Sequence, residues 1–463
     1  MEPQSSSVTD FSKLVRTMPD GFEFGWKFYP PEGVCNTEEH SIMEDLQSDE
    51  KWDEFLAHLI SNHENVNETI QTASLIRTRG YREICESLAK GEYKFSDPTR
   101  IEIPKPGKKE TRKIYTLKKG KDIREHTVVR MISWLLNRYS YYFSPNLYSV
   151  SDNDGVRGAV NNLLSILESG DKYCYKADLT NFFNTIDIDI MMDDLYSSLD
   201  ERDKDIVKVL ETILRNPVVR AIGPDGNKIG KIDDLDKGVM AGMPFAPFLA
   251  NFFLKDLDWI LYLNGISYYR YADDIMVAID NSIDLDKAEA FVNAYVRSRH
   301  LTLNPKKIER YEPGEDFIFL GICFNNGKTT ISDSTLKKQK AKLKTAARKY
   351  RRMYERGQVT RDTATAMMVR WVGNYHYGSD YVPYSFSKMY FPLISSSEKL
   401  NSIDRYAQEC IRYVYTGKMR LGGSKEISYK AMKLMGYLPL VSAFRIYKKL
   451  NRSKNYSVAE EAR

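Results

Sequence analysis

Three acidic residues stand in surroundings that strands usually keep apolar. Asp178 ends the strand-like run Tyr173-Cys174-Tyr175-Lys176-Ala177 and precedes Leu179-Thr180-Asn181-Phe182-Phe183. Asp273 and Asp274 are adjacent, between Tyr268-Tyr269-Arg270-Tyr271-Ala272 and Ile275-Met276-Val277-Ala278-Ile279. An Asp pair disfavours a continuous strand but suits a hairpin tip that presents carboxylates to a cation. Hard oxygen ligands suit Mg²⁺, which one or two carboxylates hold together with substrate phosphates. Two such ions about 4 Å apart can activate an attacking hydroxyl and stabilise a leaving pyrophosphate. Asp193-Asp194 and Asp233-Asp234 lack paired strand flanks, so they read as ordinary turns or caps.

The elements that must position these groups follow from periodicity. Tyr173 to Val277 alternates strand, helix and strand. Arg100–Thr116 reads as two short strands around a basic Pro-Gly turn, and Asp122–Tyr142 as a helix. Asp316–Phe324 is β-rich and closes that region. Leu336–Arg356 predicts a helix capped by Ser332, Asp333 or Ser334 and stopped by Gly357. Two amphipathic stretches, near Glu38–Ile60 and Val66–Lys90, make the first ~95 residues a mostly helical extension.

The 463 residues are 42% apolar, enough for a real core, and no run approaches the ~20 apolar residues of a membrane span. The N-terminus has no basic-then-apolar signal pattern. The five cysteines form no C-x-x-C pair, which argues against zinc sites and disulfide frameworks. A cytoplasmic protein is expected. The net charge of +5 hides opposed blocks: −9 over 1–95, +7 over 96–150, −11 over 151–324 and +18 over 325–463. Such blocks suit a polyanionic partner. Leu336–Arg356 holds ten basic residues and one acid, which predicts phosphate contacts through Lys337, Lys340, Lys344, Arg348, Arg351 and Arg352. The aromatics that follow, from Trp371 to Phe391, read as helical core, and His376 as a structural residue.

With these residues in view, Tyr271-Ala272-Asp273-Asp274 resembles the Y-x-D-D box of reverse transcriptases. Asp178–Phe183 resembles the family's first catalytic motif, Gly238–Asn251 its Gly-rich motif, Leu301–Lys307 its lysine-bearing motif and Phe319-Leu320-Gly321 its primer grip. Ile103-Pro104-Lys105-Pro106 and Arg112 resemble the fingers motif of group II intron and retron enzymes. The motifs lie in order from Arg100 to Phe324. The resemblance implies an α+β right-hand polymerase fold: an N-terminal extension (1–95), fingers (96–170), palm (171–324) and a basic helical thumb (325–463). It implies an RNA-directed DNA polymerase that uses deoxynucleotides and two Mg²⁺ ions, with Mn²⁺ as a substitute. Asp178, Asp273, Asp274 and the Leu179 carbonyl would hold metal. Lys307 would serve the leaving pyrophosphate, with Lys306 as its competitor. Phe183 would exclude a 2′-hydroxyl, and Lys105 and Arg112 would bind triphosphate, with Lys108, Lys109 and Lys113 as alternatives. Gly242 and Tyr271 would line the nucleotide site.

The Gly-rich motif departs from P-Q-G and S-P, reading Met240-Ala241-Gly242 and Ala246-Pro247. Divergence of this kind resembles the bacterial "unknown group" enzymes, several of which serve antiphage defence, some with a cognate non-coding RNA. The expected partners are therefore an RNA template or cognate RNA, the DNA product and deoxynucleotides. Alternatives are a template-independent or protein-primed nucleotidyltransferase on the same palm, a non-catalytic RNA-binding scaffold, and an RNA-dependent RNA polymerase, which Phe183 disfavours.

Overall fold

The structure is a computed structural model describing residues 27, 28, 30, 37–62, 66–104, 110–118, 122–150, 153–170, 172–234, 237–325, 327–378, 385–418 and 427–461, the last ten as backbone only. They fall into two compact units, Met1–Gly155 with Lys172–Arg310, and Val156–Asp171 with Tyr311–Arg463. Among the described residues no helix is long and apolar enough to cross a membrane.

The first unit opens with four helices: α1 (Ile42–Asp45), α2 (Asp49–Ser61), α3 (Val66–Arg77) and α4 (Arg82–Ala89). Each expected amphipathic stretch is thus broken in two. Leu46 ends α1, and Gly80 lies between α3 and α4 where a Cβ would come within 2.7 Å of Leu75. The helices share the main core: Trp52 is fully buried and stacks on Tyr81 at 4.1 Å. Buried Asp203 accepts from the Ile42 amide and the Tyr139 hydroxyl, both at 2.6 Å. Helices α1 to α4 are therefore built into the unit.

Strands β1 (Thr99–Pro104) and β2 (Thr111–Thr116) pair antiparallel around the basic turn. Helix α5 (Arg124–Leu135) follows and tightens into a 3₁₀ segment, Leu136–Tyr142. Helix α6 (Gly155–Glu168) groups with the second unit. Strand β3 (Tyr173–Asp178) then leads into α7 (Phe182–Thr185), α8 (Ile188–Ser198) and α9 (Lys204–Arg215). Strands β4 (Val218–Ile222) and β5 (Lys228–Asp233) extend the fingers sheet to the order β2-β1-β4-β5, with β1 and β4 parallel. Helices α10 (Ala246–Phe253) and α11 (Lys255–Leu263) pass beneath the hairpin β6 (Ser267–Tyr271) and β7 (Asp274–Ile279). Helix α12 (Ser282–Ser298) packs on β3 and β7. The palm sheet runs β6-β7-β3-β8, with β8 at Glu309–Tyr311. Apolar residues on both faces of β3 and β7 explain their burial.

Besides α6, the second unit contains a three-stranded antiparallel sheet: β9 (Phe317–Phe319), β10 (Ile322–Asn325) and β11 (Lys328–Ile331). Asp316–Phe324, expected to close the palm, belongs to this sheet. Helix α13 (Asp333–Glu355) starts where Ser332 accepts from the Thr335 amide at 3.1 Å, and left-handed Gly357 follows its end. It packs on α14 (Arg361–Tyr377) and α16 (Glu398–Thr416). Helices α15 (Phe386–Tyr390), α17 (Tyr429–Leu434) and α18 (Leu440–Glu461) complete the unit. Buried His376 has no hydrogen-bond partner for either ring nitrogen among the described residues, and burial pushes its pKa down to about 3.

Candidate active site

The carboxylates meet on the palm sheet. In the β3–β7 register Asp178 is directly opposite Asp274, and Asp273 lies in the two-residue turn of the β6–β7 hairpin. Cross-strand partners project to the same face. Ala272 takes a left-handed φ of 55° to make the turn. A residue with a Cβ stores about 1–2 kcal/mol in that conformation, so the tip is held by its surroundings. The Leu179 amide donates to the Asp273 carbonyl at 3.2 Å, and Asn304 donates to the Asp178 carbonyl at 2.8 Å. The Leu179 carbonyl accepts no hydrogen bond from the described residues.

Asp178 is almost fully buried. Burial raises the carboxyl of Asp273, and repulsion from Asp178 raises it further. Burial followed by repulsion from Asp273 and Asp178 pushes Asp274 up to about 6. Lys307 Nζ donates to Asp178. Burial opposes the charge on Lys307, but that bond and the fields of the three carboxylates outweigh it and raise its pKa. Lys306, its sequence competitor, is exposed and holds no carboxylate among the described residues.

Clustered carboxylates, with the proton affinity of Asp273 and Asp274 raised, beside a backbone carbonyl that no described residue bonds, form a donor set that fits a divalent cation. Among the described residues no three acidic, His or Cys side chains converge at coordination distance, and Asp178 is paired with Lys307.

Phe182 and Phe183 begin helix α7 instead of ending a strand, because left-handed Asn181 (φ 48°) turns the chain after β3. Successive helical positions diverge by about 100°, so Phe182 is buried and Phe183 half-exposed. The Phe183 carbonyl accepts from Val239 at 2.9 Å. A Cβ on Gly238 would sit 2.3 Å from that carbonyl. Gly242, at φ 98°, lies against β2, where a Cβ would come within 2.5 Å of Ile114, and Tyr115 donates to the Ala241 carbonyl at 2.8 Å. The Gly-rich loop is thereby fastened to both Phe183 and the fingers sheet.

Arg112 on β2 is exposed, has no ion-pair partner among the described residues and stabilises the charged form of Asp273. Lys113 points elsewhere, at 3.6 Å from buried Asp234. Lys105, Lys108 and Lys109 lie outside the described residues. Tyr271 ends β6, half-exposed, opposite Asp274.

Two readings of acidic pairs are corrected. Asp194 is neither turn nor cap: it is buried inside α8 and pairs with Arg299 and with Lys27 at 3.2 Å. Asp234 is buried and holds Arg100 at 2.8 Å and the Tyr115 hydroxyl at 2.9 Å. Polar neighbours in sequence hid partners that are distant in the chain.

A positioning network escaped the sequence reading. Arg270 is fully buried and forks onto Asp258 of α11, with its Nε at 2.7 Å. It also donates to the Asn251 carbonyl at 3.2 Å and to the Ala272 carbonyl at 3.1 Å. Tyr268 donates to Asp258 at 3.0 Å. The signal available was an Arg inside an aromatic strand, since a buried charge requires a partner.

A carboxylate-bearing hairpin paired with a central strand, with a basic fingers strand beside it, defines a polymerase-type palm. Residues 103–324 match the family model described as "Reverse transcriptase (RNA-dependent DNA polymerase)". Residues 103–324 thus form a domain that matches the reverse transcriptase family. Comparison with curated proteins gave no match. Among solved structures it is similar to an apo telomerase from Candida tropicalis truncated from the C-terminal domain, with TM-score 0.39, 13% identity, and coverage of 51% of this chain and 55% of that one. It is also similar to a Candida albicans telomerase in complex with a TWJ fragment of telomeric RNA, with TM-score 0.38, 11% identity, and coverage of 69% and 60%. The chain thus spans less than two thirds of either relative.

Proposed function

We propose that this chain is an RNA-directed DNA polymerase that joins deoxynucleotides by two-metal-ion nucleotidyl transfer. The observation that carries the reading is the cluster of Asp178 and Asp274, opposite each other on neighbouring strands, with Asp273 in the adjoining turn, within the family-matched domain. Asp178, Asp273, Asp274 and the Leu179 carbonyl would hold Mg²⁺, with Mn²⁺ as a substitute. When bound, the ions supply Lewis-acid stabilisation of the attacking and leaving oxygens.

The chain's own residues do the rest. Arg112, without an ion-pair partner among the described residues, carries a guanidinium whose fork suits triphosphate oxygens. Lys307 carries a proton beside the carboxylates and can deliver or share it with a departing pyrophosphate. Phe183 presents a half-exposed ring whose backbone is fixed by Val239 and Gly238, which suits exclusion of a 2′-hydroxyl. Gly242 keeps the loop backbone close to β2, and Tyr271 flanks the Asp pair. The C-terminal unit supplies basic residues for an RNA template and the DNA product. The divergent Met240-Ala241-Gly242 supports a bacterial antiphage role with a cognate non-coding RNA, in the cytoplasm.

Purified protein with an RNA template, a primer and labelled deoxynucleotides should incorporate label. Asp273→Ala with Asp274→Ala should lower incorporation by at least about a thousandfold, equivalent to roughly 4 kcal/mol of lost transition-state stabilisation. Incorporation persisting in a folded double variant would sink the metal assignment.

A second reading is favoured by Ala241, which stands where related enzymes carry Gln: template-independent addition on the same palm. Product sequencing separates the two, because a complementary copy of a supplied RNA excludes untemplated synthesis.

A further inference from the structure

We propose that the C-terminal unit carries a cleft for an unpaired nucleobase, between α13 and α14, distinct from the carboxylate centre. A cavity of about 370 Å³ opens there, with Ala341, Ala346, Tyr350 and Trp371 as its mainly apolar wall and Lys342 and Lys349 at its rim. Trp371 is half-exposed, and its indole N–H has no hydrogen-bond partner among the described residues. Its ring is braced from one side by Tyr375, stacked at 5.0 Å and 11°. Tyr375 in turn is fixed by its hydroxyl bond to Gln339 and by Lys342 Nζ at 5.4 Å from the ring centroid. Neither rim lysine has a carboxylate partner among the described residues.

These features select the occupant. A flat apolar slot with a rigid indole suits a planar aromatic group, and the free N–H adds one donor to an acceptor at its edge. Two unneutralised lysines at the mouth suit phosphates on either side of that group. A nucleobase in single-stranded nucleic acid joins both requirements. In a duplex the bases are stacked and paired, so the same slot would read strand state and not sequence. The basic residues predicted from the sequence to bind nucleic acid do not report this site. Lys340 donates to Ser402 at 2.8 Å and Arg351 to the Val414 carbonyl at 3.2 Å, both on α16. The cleft lies on the α14 side. The inference shares with the proposed function only the nucleic-acid partner.

The test measures binding without catalysis. A fluorescent 20-nucleotide oligouridine and a blunt RNA–DNA duplex of equal length are titrated with full-length protein in EDTA, without nucleotides. Trp371→Ala should weaken single-strand binding about tenfold, as expected for loss of one stacked base, and change duplex binding by less than about twofold. Trp371→Phe should recover most of the loss. Equal loss for both ligands, equal loss in the Ala and Phe variants, or no loss at all overturns the proposal. If Trp371→Ala melts early, the rim variant Lys342→Gln/Lys349→Gln decides by the same criterion of selective single-strand loss. Because no metal or nucleotide is present, failure here is separate from failure of the polymerase reading.

Discussion

At the scale of single residues, the site is a contest between charge and burial. Three carboxylates crowd the tip of the β6–β7 hairpin and the end of β3, and the Lys307 ammonium pairs with Asp178. Phe183 illustrates how a ring is aimed: left-handed Asn181 starts a helix, and Gly238 clears the space beside its backbone. Phe183→Ala should therefore cost at least about tenfold in deoxy-over-ribonucleotide discrimination, or roughly 1.4 kcal/mol, measured by competing the two substrates; unchanged discrimination would remove its role as a gate. His376 makes a prediction of a different kind. Its folded pKa of about 3 lies below the ordinary value of 6.5, so the unfolded chain binds the proton more tightly. Stability is then complete above about pH 6.5 and falls as pH drops towards 3, by up to about 1.4 kcal/mol per pH unit. Denaturant midpoints taken across that window should fall less steeply in His376→Phe than in the parent protein.

At the scale of elements, hairpins and helices are held by polar bonds to distant residues. The β6–β7 turn is gripped from below by Arg270, which bonds Asp258, Asn251 and the Ala272 carbonyl at once. Removing one partner of such a buried pair leaves an uncompensated charge. Asp258→Asn should destabilise the protein by about 3–5 kcal/mol, read by chemical denaturation, whereas Asp258→Leu with Arg270→Met should lose less than the single change. A double variant worse than the single one would show that the pair itself, and not the stranded charge, matters. Element identity was largely legible in the sequence. Ser332 and Gly357 bound α13 as their chemistry predicts, and the Pro-Gly turn separates β1 from β2. The break at Gly80 was not legible, because apolar spacing continues through it while the packing of Leu75 does not. The helical start at Phe182 was also hidden, since a left-handed Asn is a local choice that neighbouring tertiary bonds stabilise.

At the scale of the whole molecule, charge is divided between the units. The acidic stretch 151–324 contains the palm motifs, and residues 325–463 carry +18. On α13 and at its C-cap, Lys337, Lys338, Lys342, Lys344, Arg348, Lys349, Arg352 and Arg356 are exposed, while Lys340 and Arg351 are turned to α16. If only about four of the exposed groups meet phosphates, affinity for nucleic acid should drop by about a hundredfold between roughly 50 and 200 mM salt. Anisotropy titrations over that range test it; a flat response would exclude phosphate contact as the main source of binding.

The sequence by itself carried the resemblance to reverse transcriptases, the order of the motifs and the three candidate acidic positions, because strand flanks around an Asp pair are a local pattern that survives without coordinates. It also determined the charge blocks, which depend only on composition along the chain. Tertiary structure alone decided that Asp178 faces Asp274, that Lys307 and not Lys306 neutralises Asp178, and that Arg270 secures the turn. It alone separated the basic stripe of α13 into a flank bonded to α16 and a flank that opens beside Trp371. The physical reason is the same in each case. Backbone pattern is encoded by neighbours within a few residues, whereas the partner of a buried charge or an exposed ring is chosen by packing between segments far apart in the chain.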